Sequence, residues 1–521
     1  MTAPQSQSSP AAASAPAGLP DARTTRAIIE SRSIDYIPWK ERHGKVWHQG
    51  PFWFTSNFTL LTFVVGFTGP LAGLGLGWTA IAIVLGTLIA TFFMAFHANQ
   101  GPGMGIPQMI QSRAQFGTRG VIVALIPALM VYIGFNVFNV AIATQGFKAV
   151  GAVGPDWVWY VGITVVQAVI AVIGYNMIHW VQRWLTYLLV VAYTILGIGS
   201  IIALGGSRVL TMGHYSPVAF CAQFVAVAGY QISYAVYVSD YSRYLPAKTR
   251  LGPLVLWTYG GAALSAIWLM ILGALFALDL PNGAVVTSLL PAGNLVAPGF
   301  GPIVMALSSV AVVTVIAVNT YGAMLVSLTA VDGFRPIRAS RSNRVVATVL
   351  VSAAILILAL MIPQRYQDIF NNLLALILYF LTPWSAINLV DYYFVRRGRY
   401  SVVEIFNPAS TYGRWAWRGL TAYVLGFSSM VPFFALPFYT GSGARALGGI
   451  DMSIFLGLVI SGLVYYLLAR SVELTAEEAA YRKSLAILEP DAALETAPAD
   501  GCSRGAATEV RTEATTVSPV P

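Results

Sequence analysis

The sequence predicts an all-α polytopic membrane protein, and three observations carry that reading. Of 521 residues, 57% are hydrophobic and only 10% charged, whereas a soluble domain has about a quarter of its residues charged. Apolar runs of about 20 residues recur along the chain, each long enough to cross a hydrocarbon core as a helix. The short alternating segments of a β-barrel are absent. Backbone groups in lipid must bond within their own segment, so the runs are helices.

Twelve spans are read near residues 52–75, 77–98, 119–147, 157–176, 181–206, 216–237, 252–278, 299–330, 345–363, 367–395, 415–437 and 452–470. Residues 1–45 and 471–521, rich in small and polar types, read as disordered cytoplasmic tails. The first lacks the charged and apolar regions of a signal peptide. Cys221 falls in an apolar run and Cys502 in a tail, so neither a structural disulfide nor a paired-cysteine metal site is expected.

The net charge of +9 would suit nucleic acid or an acidic surface, and the placement of the charges decides between them. With a cytoplasmic N-terminus, every Lys and Arg except Lys148, Arg208, Arg365 and Arg445 falls in a tail or an even-numbered loop. That is the asymmetry of a multi-pass inner (plasma) membrane protein with both termini cytoplasmic. No nucleic-acid partner is needed. The partners are membrane lipids and a small molecule, and the oligomeric state, monomer or otherwise, is open.

Spans 1 and 6 carry helix-breaking sequence at membrane depth: Val65-Gly66-Phe67-Thr68-Gly69-Pro70, and Ala228-Gly229-Tyr230-Gln231-Ile232-Ser233-Tyr234. They open two five-helix halves, 1–5 and 6–10. A matched pair of interrupted helices is the signature of an inverted-repeat transporter with its site at the repeat interface. Glycines that merely allow close helix packing are the competing explanation.

Polar groups at this depth are costly and invite a functional reading. Phe135 and Asn139 in span 3 are four apart and share a helix face, so one could stack on a planar ring while the other bonds its edge. Thr314 and Asn319 in span 8, with Tyr230 and Gln231 in span 6, add further groups; an amide donates and accepts at once. Asp240 and Asp391 close spans 6 and 10, and Asp240 reads as a partner for Arg243. His97 and His179 lie near membrane interfaces and could titrate. A site without fixed charge points to a neutral polar substrate. No catalytic motif is present, so no enzyme is expected. A channel's filter and a receptor's signalling domain are equally absent from the reading.

With these residues in place, the chain resembles the nucleobase:cation symporter-1 family, which includes purine-cytosine, allantoin and uracil permeases and hydantoin transporters. The likeness runs from about residue 33 to 470. It rests on Ile34 to Arg42 with Trp53, on Gly105-Ile106-Pro107-Gln108-Met109 followed by Ser112 to Gly117, on Ser239 to Tyr244, and on Pro383 to Tyr393. The resemblance implies a LeuT-type fold of 5+5 inverted repeats (about 52–206 and 216–395, within a core of 46–398). Two peripheral helices (399–470) complete twelve spans. A bundle (spans 1, 2, 6, 7) would rock against a scaffold (spans 3, 4, 8, 9).

The implied substrate contacts are Phe135 and Asn139, where the family usually has Trp and Gln, together with Gly229, Tyr230 and Asn319. The family's sodium site would fall on Val310, Val313 and Thr314, with span-1 carbonyls from Phe63–Gly66. Valine at a hydroxyl position weakens that site, which leaves sodium, proton or uncoupled transport open; no other cofactor is implied. The expected function is secondary active import of a neutral heterocycle such as cytosine, a purine, uracil, allantoin or a hydantoin. The alternative cargo is a vitamin-like pyridine or thiazole.

Overall fold

Within the described residues the apolar runs fold predominantly as helix, although not every run is one helix. The structure, a computed structural model, describes residues 34–490 except 174, 204–210, 278–284, 336, 338–339, 363–366, 408 and 410; side chains of 173, 175–183 and 203 are likewise outside it. His179, Arg183, Arg208, Arg365 and Cys502 lie outside the described residues, as do 1–33 and 491–521 of the expected tails. Eight of the described helices are long and apolar enough to cross a membrane. A ninth is added if Ser453–Ala469 and Leu474–Leu488, bent by 91°, count as one span.

The packing has an internal symmetry. Span 1 (Gln49–Asn57, Leu60–Val65 and Thr68–Leu71) packs on span 7 (Leu251–Phe276), as span 6 (Pro217–Ile232) packs on span 2 (Leu76–His97). Span 4 (Asp156–Ile173) packs on span 8 (Phe300–Phe334) as span 9 (Arg341–Met361) packs on span 3 (Ile122–Ala149). Span 5 (Tyr175–Ala203) meets span 8 as span 10 (Gln367–Val390) meets span 3. The pairs 2–7, 3–8 and 4–9 map onto themselves. Exchanging each span for its counterpart five places along leaves the pattern unchanged, as two five-helix repeats require. Spans 1, 2, 6 and 7 form one body and 3, 4, 8 and 9 the other. Spans 11 (Trp417–Met430) and 12 (Ser453–Ala469) pack on each other and on span 10, outside this scheme.

Both expected stretches are interrupted, between Val65 and Thr68 in span 1 and from Ser233 in span 6, and span 1 carries a further break that the sequence did not announce. In span 1 the chain leaves the helix at Phe58 and is extended at Thr59, whose hydroxyl caps the next helix by accepting from Thr62 N. At Gly66 and Phe67 the backbone stays right-handed. A β-carbon on Gly66 would lie 1.9 Å from the Met270 carbonyl oxygen, so this glycine serves close approach to span 7. In span 6 the helix tightens to a 3-10 turn over Ser233–Val236 and breaks at Tyr237. Gly229 stays helical, and a β-carbon there would lie 2.1 Å from Leu374 O in span 10. Both glycines serve close packing, and Gly66 sits in addition at the interruption between Val65 and Thr68.

The basic segments collect on one face. Ile37 N donates to Gly105 O (2.9 Å) and His43 N to Tyr244 O (2.7 Å). Arg113 pairs with Asp332 at 2.9 Å, tying the loop after span 2 to the end of span 8. On the opposite face Gly75 N donates to His214 O, joining the loops after spans 1 and 5.

Two stretches assigned to disordered tails are ordered here. Residues 34–45 lie against the loop after span 2, where the buried Arg42 donates to Ile37 O and Pro102 O. Beyond span 12, Leu474–Leu488 forms a helix whose Ser484 hydroxyl accepts from Val403 N. Glu489 accepts from the Tyr36 hydroxyl (2.9 Å) and from Trp39 N (2.7 Å). Burial raises the Tyr36 phenol above its ordinary value, so it stays protonated and donates. Composition alone hid these stretches because they are stabilised by contacts remote in sequence.

Replacing Glu489 with Gln weakens this clasp by removing charge-assisted bonds of about 1.5–3 kcal/mol each. Limited trypsin digestion at Lys40 and Lys45 should then accelerate by about tenfold or more, with spans 1–10 unaffected.

Candidate functional site

A cavity of about 970 Å³, counted to its open mouth, lies between spans 1 and 6 of one body and spans 3 and 8 of the other. Its walls include Phe135, Asn139, Tyr230 and Asn319, four of the five residues singled out as substrate contacts. Gly229, the fifth, is absent from the wall because it faces span 10; its part is to let Tyr230 stand where it does.

Tyr230 is held firmly. Its hydroxyl lies 2.7 Å from the Thr62 hydroxyl and 3.1 Å from that of Tyr234. Its ring stacks on Phe135, centroids 5.4 Å apart and planes 24° apart. That spacing leaves no room for a third ring between them, since two stacked contacts need about 7 Å.

Asn139 is 1% exposed, yet neither its amide nitrogen nor its amide oxygen has a hydrogen-bond partner in the protein. A buried amide without partners costs about 1–3 kcal/mol. Its neighbour Asn136 is different: it donates to Ile316 O and to the Thr320 hydroxyl and ties span 3 to span 8. Asn139 alone of the two keeps both functions for a ligand.

Gln231 is not in the cavity. One residue along a helix turns a side chain by about 100°, and Gln231 donates to Thr91 and accepts from Asn57, stitching spans 1, 2 and 6. His97 stacks on Trp384 with parallel rings 4.7 Å apart and bonds Ser385. Asp240 caps the short helix at Gln108, whose N–H it accepts at 2.7 Å, while Arg243 donates to its main-chain oxygen.

Sequence reasoning passed over the tyrosines. Tyr234, Tyr237 and Tyr241 line the cavity beyond Tyr230, joined by Tyr132 and Tyr321. Their spacing of four, three and four residues from Tyr230 put them on one helix face, so the signal was present in span 6. With Asp240, Arg243 and Tyr244 they lead to the mouth, which opens on the face that holds both described termini.

The expected sodium ligands fit poorly. Val310 is 44% exposed, and its carbonyl lies within a continuous helix, where the N–H four residues on takes it up. Val313 offers no hydroxyl. Thr314 supplies the one side-chain oxygen of the set, with its hydroxyl donating to Ala311 O. In span 1 the Gln223 amide is inserted between Val65 O (3.1 Å) and Gly69 N (2.6 Å). Those two groups would bond each other in an unbroken helix, so a side chain fills the rung. A hard cation wants several converging oxygens, and this set does not offer them.

Two inverted five-helix repeats that close on an aromatic and amide-lined cavity define a membrane transporter of the secondary-carrier class. The chain belongs to the nucleobase:cation symporter-1 family: the model for permeases of cytosine/purines, uracil, thiamine and allantoin matches residues 36–457. It is 36% identical over 448 residues to YxlA of Bacillus subtilis (strain 168), named for purine-cytosine permeases, which covers 85% of this chain and 96% of that one. It is 24% identical over 460 residues to the purine-cytosine permease fcyB of Emericella nidulans, covering 84% and 87%. Among solved structures, Mhp1 in an inward-facing conformation matches with a TM-score of 0.67 at 17% identity, covering 88% of this chain and 98% of that one. Mhp1 closed around bromovinylhydantoin gives the same score and identity, over 87% and 100%.

Three substitutions, one of them a control, separate packing from recognition. Gly229→Ala should destabilise the purified protein by about 1–3 kcal/mol through overpacking, whereas Gly162→Ala, with open space around it, should not lower the melting temperature. Asn139→Leu should leave stability unchanged or raise it, because an unpartnered amide is removed; a thermal melt in detergent checks both.

Proposed function

We propose that this chain imports a neutral nucleobase-like heterocycle (cytosine, a purine, uracil, allantoin or a hydantoin) by alternating access. The observation that carries the reading is Asn139, buried and without a partner, beside the Phe135–Tyr230 stack. A planar ring with an amide or urea edge satisfies both halves of that side chain and offers its face to the aromatics. Among the described residues the cavity wall carries two charged side chains, Asp240 and Arg243 of opposite sign, which favours a neutral cargo. The thiamine named in the family description keeps a larger pyrimidine-thiazole cargo as the second reading, with the tyrosine-lined approach as the room for it.

In this reading the bundle rocks on the scaffold, the cavity opens alternately to each side, and the rings of Phe135 and Tyr230 part to admit the substrate. The coupling is to protons or absent, and sodium takes no part, because the span-1 and span-8 groups make no cage for it. The chain crosses the inner membrane twelve times with both termini cytoplasmic. Support comes from the two described termini lying on one face, which requires an even number of crossings, and from the basic residues gathered there.

Uptake of labelled cytosine, adenine, uracil, allantoin and benzylhydantoin into cells expressing the chain tests this. One compound should accumulate saturably, with no change when sodium is replaced by choline. Phe135→Ala, Asn139→Leu and Asn319→Ala should each abolish that uptake while the protein remains in the membrane. Sodium-dependent accumulation would overturn the coupling proposal, and survival of uptake in all three variants would overturn the site.

A further inference from the structure

We propose a second binding site, for the phosphate headgroup of an anionic phospholipid, in the cleft between the end of span 10, the end of span 12 and the C-terminal helix. The cleft, of about 1120 Å³, is lined by Arg396, Arg397, Arg399 and Arg470 against Glu477 and Glu478. The arginines are not equivalent. Arg396 is buried and spent on the protein, bound to Glu477 at 2.6 Å and to Asp391 at 2.5 Å. Arg399 shares Glu478, at 3.0 Å, with Arg482. Arg397 and Arg470 are exposed, and neither has an ion-pair partner among the described residues. Arg397 is also the one non-glycine described residue with positive φ, +52°. This backbone turns successive arginines apart, Arg396 inward and Arg397 into the cleft.

The apolar surroundings name the source of the phosphate. Phe455, Val459, Leu463 and Tyr466 form an exposed stripe along span 12. Their spacing of four, four and three residues keeps them on one face, and Arg470 follows four residues later with its guanidinium 5.5 Å from the Tyr466 ring centroid. Exposed Phe394 closes the other side of the cleft. In a membrane protein such a stripe faces acyl chains, so a lipid tail lying on it delivers its headgroup to Arg470 and Arg397. A basic pocket at the end of membrane helices, beside an aromatic rim, is chemistry that suits an acidic headgroup. A free phosphate ion would use the arginines but not the stripe.

The test is binding to the purified full chain in neutral detergent. Phosphatidylglycerol should raise the melting temperature in a saturable way, and phosphatidylcholine and inorganic phosphate should not. Arg397→Gln with Arg470→Gln should weaken phosphatidylglycerol binding about thirtyfold, at about a factor of five per arginine near an anionic surface, with unchanged melting in detergent alone. A photoactivatable phosphatidylglycerol analogue on the wild-type chain, which needs no variant, should label peptides from 455–488. An equal shift from inorganic phosphate would make this a free-anion site and overturn the lipid assignment. Undiminished binding by the double variant, or labelling confined to other peptides, would overturn the site.

Discussion

Polar groups at bilayer depth have no water to bond, and most of this chain's buried amides and its carboxylate Asp391 meet that constraint with at least one protein partner each. The Gln223 amide fills the 65–69 rung of span 1. The Asn57 amide nitrogen donates to Gln231 and to Ala262 O, and Gln231 donates in turn to Thr91. Asp391, fully buried, accepts from Arg396, Tyr400, Tyr465 and Gln115. Unpaired polar groups in hydrocarbon cost several kcal/mol each. Against that background an amide with neither atom bonded, in the wall of the central cavity, stands apart. In the proposed reading Asn139 is the group that receives the substrate's amide edge.

The second constraint is backbone approach. Gly66 lies against Met270 O, Gly273 against Phe63 O and Gly229 against Leu374 O, all too close for a β-carbon. Spans 1 and 7 are therefore interlocked backbone to backbone. Where the two bodies face each other across the cavity the contacts are side chains instead: Phe135 on Tyr230 and Tyr132 on Tyr237. Stacked rings can slide and part at small cost, whereas interlocked backbones cannot. In the proposed alternating-access reading this arrangement would concentrate motion at the cavity and spare the bundle.

Much of this was legible in the sequence, because it depends on local pattern. The apolar runs, the one-sided basic charge and the pairing of Phe135 with Asn139 follow from period and composition. The positions of the helix breaks were legible only in part: those at 65–68 and from Ser233 fall in the glycine-bearing stretches, whereas the break at Phe58–Thr59 has no glycine to mark it. A glycine reads the same whether it frees the backbone or admits a neighbour, and Gly66 and Gly229 do the second. Gln231 and Gln223 show the same limit: both are amides at depth, and only the packing of spans 1 and 2 reveals that each is already engaged. The ordered ends were hidden because Tyr36 and Glu489 meet across nearly the whole chain. Tyr234, Tyr237 and Tyr241 carried a readable helical spacing that was overlooked beside the glycine of the same span.

A structure of the chain with cytosine, or whichever heterocycle it accumulates, tests the central claim most directly. The ring should lie between Phe135 and Tyr230, their centroids parted from 5.4 Å to about 7 Å, twice a van der Waals contact, with its amide edge bonded to Asn139. Density for the ring elsewhere, or within the cavity while Asn139 remains unbonded, would contradict the account.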